Sequence, residues 1–298
     1  MDIRRLIPFL VMPFLLIIVE IGALALSLPV QTAGITAFEN PESVANPFIF
    51  IAILLLFTGF LLLLIKYGFK KILIYVIAAS IFLTFCYIFS AIVYTLFGPT
   101  DAATMFMLAL SIAATLLLYM YPEWYVIDVL GVFIAAGVAS IFGVSLEILP
   151  VLILLILLAV YDAISVYKTK HMITLAEGVI DLKTPILFVI PKKSDYSFIR
   201  QGIGKLEEGG ERAAFFMGMG DLIMPSILVV SANVFFLKGP RIFGFINLPA
   251  LGAMAGSLAG LVVLLHFVNS GKPQAGLPPL NGGTIIGFAA GFLLATFL

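Results

Sequence analysis

Charge is what this 298-residue sequence has least of: 11% of it is Asp, Glu, Lys or Arg, against about 25% in soluble domains. So few ionised groups cannot cover a water-facing surface, which excludes a soluble globular enzyme. The 16 basic and 16 acidic residues cancel, leaving no excess of positive charge for nucleic acid and no polybasic face for lipid headgroups. Cysteine occurs once, at Cys86, so an intrachain disulfide framework is excluded. Two histidines, no HExxH and a lone cysteine predict no metal site. Nothing in the sequence points to a cofactor.

Apolar residues are abundant instead, at 62%, with a mean hydropathy of +1.21. The opening "MDIRRLIPFLVMPFLLIIVEIGALALSL" has the Arg4-Arg5 pair of a signal peptide, but its apolar run is too long and lacks a small-residue cleavage site. It reads as a first membrane helix. A spanning helix needs about 20 apolar residues, and candidates fall near 6–28, 47–65, 72–97, 103–120, 125–142, 150–167, 213–237, 242–267 and 279–298. The expected fold is an all-α polytopic membrane protein of nine transmembrane helices. Residues 1–167 carry six, 168–212 form a polar loop, and 213–298 carry three. With the N-terminus cytoplasmic, fourteen of the 16 basic residues lie on the inner side and only Lys238 and Arg241 outside, as the positive-inside rule requires. The C-terminus is then on the outer side.

Five ionisable groups fall within spans: Glu20, Asp128, Asp162, Asp221 and His266. Asp128 and His266 sit near the inner interface and read as interfacial. Glu20 is deeper and needs a polar partner on a neighbouring helix or a hydrated outer cavity. Asp162 lies about 9 Å and Asp221 about 13 Å from the inner surface, taking a helical rise for both. Their helices run in opposite directions from one side, and no basic residue in the core neutralises either acid. Two carboxyls in contact cannot both ionise cheaply, so such a pair shares a proton and titrates as a unit. One of them can then activate water while the other protonates a carbonyl. Two unrelated aspartates, each hydrogen-bonded across helices, would give the same sequence. Gly218 and Gly220, either side of Met219, equally suit close helix packing.

"YD" at Tyr161-Asp162 in the sixth span and "GMGD" at Gly218–Asp221 in the seventh resemble the paired motifs of the presenilin and signal peptide peptidase superfamily of intramembrane aspartyl proteases. The resemblance covers nearly the whole chain. The cytoplasmic N-terminus matches the presenilin-like branch, and the absence of long polar extensions suggests a compact, microbial member. The family's Pro-Ala-Leu motif opens the ninth helix. Here that place is held by Pro278-Pro279-Leu280, with proline for alanine, whereas the literal Pro249-Ala250-Leu251 falls in the outer half of the eighth span. Two prolines are expected to prevent regular helix at 278–279 and leave backbone groups free.

The resemblance implies cleavage of transmembrane proteins or peptides in the lipid bilayer, with Asp162 and Asp221 catalytic and Tyr161, Gly218, Met219, Gly220, Pro278, Pro279 and Leu280 positioning them or the substrate. It identifies no accessory subunit. Within the β-prone run Thr184–Pro191, the extended segment near 186–190, or else the 278–280 segment, could pair with unwound substrate as an added strand. Glycines at 252, 256 and 260, and at 283, 287 and 291, recur every four residues and predict close packing of the last two helices. Membrane aspartates and glycine-broken helices also suit a proton- or cation-coupled transporter or a channel.

Overall fold

Backbone amides in lipid must find partners within their own segment, and the long apolar runs do so as helices. The computed structural model describes residues 3–169, 187–192, 196–202, 214–238, 241–242, 244–268 and 274–297. Its main helices are α1 (Ile3–Thr32), α2 (Ala45–Lys66), α3 (Lys70–Phe97), α4 (Asp101–Met120), α5 (Trp124–Ser145), α6 (Ile148–Ile164), α7 (Met219–Phe235), α8 (Leu248–Val268) and α9 (Leu277–Phe297). Among the described residues, eight are long and apolar enough to cross a membrane, and α7 is a shorter apolar helix. The protein is thus a mostly helical, multi-pass membrane protein.

The seventh candidate span, 213–237, is not one helix. Its first part is a strand, β2 (Ala214–Gly218), paired antiparallel with β1 (Leu187–Pro191). Alternating Phe215, Phe216 and Met217 suit a pleated surface, and Gly218 is still extended (φ −63°, ψ 134°) where the helix starts. The helical depth expected for Asp221 therefore does not hold. β1 falls inside the β-prone run expected at Thr184–Pro191, whose first residues lie outside the described ones, as does most of 168–212. The span expected at 242–267 is shortened similarly, because β3 (Arg241–Ile242) pairs antiparallel with β4 (Ile246–Asn247) ahead of the helix. Asn247 joins two helix ends there: its Nδ2 donates to the Ala232 and Phe236 carbonyls at the end of α7, and its Oδ1 accepts from the Ala250 amide at the start of α8.

Burial ranks the helices. Twelve of the 17 residues of α7 are buried, against three of the 22 in α2. Helix α7 occupies the centre, touching α1, α5, α6, α8 and α9, while α2 lies on the rim against α3 and α6. Being enclosed by protein, α7 need not match the lipid thickness, which accommodates its 17 residues. The antiparallel α8 and α9 approach as closely as backbones can. A methyl on Gly252, Gly256 or Gly260 would strike the carbonyl of Gly287, Gly283 or Pro279, respectively. Glu20 finds its partner across helices, since Ser257 Oγ on α8 donates to its Oε1 at 2.6 Å.

Asp128 is not a simple interfacial group. It is only partly exposed, and its Oδ1 accepts the Val189 amide of β1 at 2.8 Å. One turn away, Glu123 accepts from Ser197 Oγ (2.6 Å) and the Phe198 amide (3.0 Å). The start of α5 is thus a dock for the segment between α6 and α7. Burial and the nearby Glu123 carboxylate push the Tyr196 phenol up to about 12, so at neutral pH its hydroxyl keeps the proton it donates to the Gly202 carbonyl at 2.7 Å. His266 is exposed in the last turn of α8.

Candidate active site

Asp162 lies in the last turn of α6, just before the helix widens into a π turn at Ser165–Thr169. Ser165 Oγ donates to the Tyr161 carbonyl at 2.7 Å, a second bond to an oxygen that the Ser165 amide also reaches. The Asp162 side chain is only 8% exposed. Its Oδ2 accepts the Leu277 amide at 3.0 Å. Leu277 is the first residue of α9, so this N–H has no partner within its helix. The Asp162 carboxyl therefore sits at the positive end of α9, where helix dipoles favour negative charge by about 0.3–1 kcal/mol.

Asp221 occupies the first turn of its own helix, α7, and gains from that dipole in the same way. Pro225, four residues on, lacks the amide that would bond the Asp221 carbonyl, so that oxygen is left free beside the site. Asp221 lies against Gly276: a Cβ built there would be 3.0 Å from its Oδ2 and 3.1 Å from its Cγ. Asp162 is close enough for its charge to act on Asp221. The two acids thus converge from α6 and α7 on the start of α9.

The prolines of Pro278-Pro279-Leu280 do not prevent helix, contrary to expectation. Helix α9 begins at Leu277, and both prolines fall in its first turn, where no amide is required and a fixed φ suits the helix. Leu280 is fully buried and anchors that turn. Pro279 faces Gly260 of α8, so the glycine seam seats the start of α9 beneath the acids. Pro249-Ala250-Leu251 opens α8 at the other end of the helix and stays remote from them.

Tyr161 is partly buried, one position before Asp162. Met219 packs its Cε over Gly131 of α5. A methyl on Gly218 would lie 3.4 Å from Asp221 Oδ2, whereas a methyl on Gly220 would meet nothing within 4 Å. Neither glycine is used for helix–helix packing, then, and Gly220 faces open space.

A cavity of about 300 Å³ reaches Asp221. Phe9 and Met12 of α1, Leu261, Leu264, Leu265 and Val268 of α8, Phe215 to Gly218 of β2, and Gln274 and Gly276 line it. The strand register decides what β2 offers to it. Val189 directs its amide away from β2, to Asp128. Its opposite residue, Phe216, therefore also directs its amide and carbonyl away from β1, at a non-hydrogen-bonded pair. Phe216 thus turns its backbone donor and acceptor away from β1, with no partner for them among the described residues, on the strand edge that borders the cavity.

Sequence reasoning missed Gly276, Leu277, Gln274 and Tyr167. Tyr167 Oη donates to Gln274 Oε1 (2.8 Å) and accepts the Ala275 amide (3.2 Å), fixing the approach to Gly276. The one available signal was the glycine just before the proline pair. Among the described residues, no group of three or more His, Cys, Asp or Glu could hold a metal ion.

The sequence model of the family described as signal-peptide peptidase, presenilin aspartyl protease matches residues 13–297. Two solved structures of a presenilin family intramembrane aspartate protease, in P2 and C222 space groups, are each 52% identical to this chain with a TM-score of 0.72. Each covers 97% of this chain, and this chain covers 98% and 100% of theirs. No curated protein matches.

Proposed function

Since the chain belongs to the signal-peptide peptidase, presenilin aspartyl protease family, we propose that Asp162 and Asp221 are the carboxyls with which it cuts peptide bonds. The protein is an intramembrane aspartate protease. The observation that carries the pair is that the two acids meet adjacent residues at the head of α9: Asp162 accepts the Leu277 amide, and Asp221 lies against Gly276. The transporter and channel readings gain no support from the comparisons.

The working topology is nine spans, with α7 as the seventh, the N-terminus cytoplasmic and the C-terminus outside. The parts 1–167, 168–212 and 213–298 then supply Asp162, the connecting loop and Asp221. In the resting site the two carboxyls hold one proton between them. The ionised one takes a proton from water, whose oxygen attacks the substrate carbonyl carbon, while the protonated one gives its proton to the carbonyl oxygen. The gem-diol collapses as a proton passes to the amide nitrogen and the C–N bond breaks. The acid and amine products leave, and the pair again holds one proton.

A helical substrate hides its carbonyls in its own hydrogen bonds, so the reacting stretch must first unwind. Phe216 offers an edge on which it can be held as a strand. This revises the expectation that 186–190 or 278–280 would take that strand. Gly218 and Gly220 leave room for its backbone, Met219 ties the turn to α5, and Tyr161, Pro278, Pro279 and Leu280 fix the frame. Substrates are transmembrane proteins or peptides presented in the bilayer.

The test compares Asp162→Asn and Asp221→Asn with the parent chain on a transmembrane peptide in proteoliposomes. Both variants should keep the parent's thermal melt and lose cleavage. Full activity in either rejects the assignment.

A further inference from the structure

We infer that Asp128 is a positioning residue for proteolysis: by occupying the outer edge of β1 it fixes the β1–β2 hairpin against α5 and leaves β2 as the edge open to substrate. The inference rests on the dyad assignment above and extends it to a residue in neither motif. The pivotal contact is the Asp128 Oδ1–Val189 amide bond at 2.8 Å. Val189 stands opposite Phe216 in the register, so Asp128, β1, β2 and the open edge lie along one row across the sheet. A charge-accepted amide also makes the outer edge of β1 a poor template, because its central donor is already taken.

A second contact fixes the same hairpin. Gly131, three residues on and hence on the same face of α5, has Phe188 of β1 and Met219 of the Gly-Met-Gly-Asp stretch directly above it. A Cβ there would lie 2.8 Å from Met219 Cε and 3.1 Å from Phe188 Cε1. Phe188, Val189 and Ile190 are all buried, at 2% exposure or less. α5 therefore touches both the strand that backs the substrate edge and the turn that delivers Asp221. Two residues separate Gly218 from Asp221, so any tilt of the hairpin is passed to the distance between bound strand and acid.

The register gives the readout. A strand that keeps its faces can slip only in steps of two residues, so loosening the hairpin should add cuts displaced by two from the main one. Asp128→Ala should lower kcat about tenfold, as a misplacement of several tenths of an ångström does, change KM less than twofold, and give those secondary products by mass spectrometry. Asp128→Asn keeps an Oδ1 acceptor for the Val189 amide and should restore parental kcat and a single main cut. Gly131→Ala, which lifts Phe188 and Met219 while leaving Asp128 in place, should reproduce the secondary cuts, and it stands in if Asp128→Ala does not fold. Parental products from both Asp128→Ala and Gly131→Ala, or Asp128→Asn behaving as Asp128→Ala, overturns the inference. Activity in Asp162→Asn or Asp221→Asn would instead sink the dyad assignment, so the two failures are distinguishable.

Discussion

Replacing Gly276 by alanine probes the contact on which the site turns. The added methyl would lie 3.0 Å from Asp221 Oδ2 and 3.1 Å from its Cγ and Oδ1. Carbon and its neighbours rest at about 3.5 Å, so roughly 0.5 Å must be found. Either Asp221 retreats toward the cavity, or residues 276–277 retreat and stretch the 3.0 Å bond from the Leu277 amide to Asp162. A misplacement of about 1 Å can lower a rate on the order of 100-fold. Half of that distance gives about tenfold, or about 1.4 kcal/mol of barrier. The assay is single-turnover cleavage of a transmembrane peptide, which isolates chemistry from product release, alongside a thermal melt. The expected result is a tenfold slower cleavage step with KM within twofold and an unchanged melt. A parental rate would refute the claim that the Gly276 backbone sets the spacing of the two acids. A lost melt with parental rate at low temperature would move Gly276 to a purely structural role.

Three further outcomes follow from the same geometry. Gly220→Ala meets no protein atom within 4 Å, so it should melt like the parent yet raise KM about tenfold if the substrate backbone passes there; an unchanged KM would remove Gly220 from the substrate path. Tyr167→Phe removes the hydroxyl shared by Gln274 and the Ala275 amide, and should lower kcat about threefold, less than Gly276→Ala because exposed hydrogen bonds are worth about 1 kcal/mol or less. Gly256→Val drives a side chain into the Gly283 carbonyl and should destabilise the fold by about 1–3 kcal/mol, as overpacking does; a chemical-denaturation series in detergent measures it, and an unshifted midpoint would mean that the α8–α9 seam is looser than its backbone contacts imply.

The two acids were legible through the Tyr-Asp and Gly-Met-Gly-Asp motifs, because a carboxyl in an apolar run also suits a structural hydrogen bond across helices, as Glu20 shows. The glycines of α8 and α9 were legible because a four-residue repeat shows its helical face directly. Gly276 and Leu277 were not, since their contribution is an amide and a missing side chain, and neither differs in sequence from an ordinary turn before proline. The break between β2 and α7 was hidden for a related reason. "AAFFMGMGDLIMPSILVV" has the hydrophobicity of a helix throughout, and only pairing with Leu187–Pro191, across a gap of more than twenty residues, makes its first part a strand. Asp128 was read as interfacial from its spacing to Trp124, because its partner is a backbone amide from a distant segment.

Those misses share a physical origin that bears on how the protein works. Side-chain chemistry is written in residue identity, whereas the proposed substrate edge, the Leu277 donor to Asp162 and the Val189 group that Asp128 holds are all backbone. A protease for helices must hold a chain of arbitrary sequence once it is unwound, and backbone is what every substrate has in common. An enzyme that recognises its substrates in this way can vary the side chains of its cavity and still cut, provided that the edge of β2 and the head of α9 stay in register with the acids. Selectivity among substrates then falls to how readily each helix unwinds near its reacting bond, a property of the substrate rather than of the residues lining the cavity.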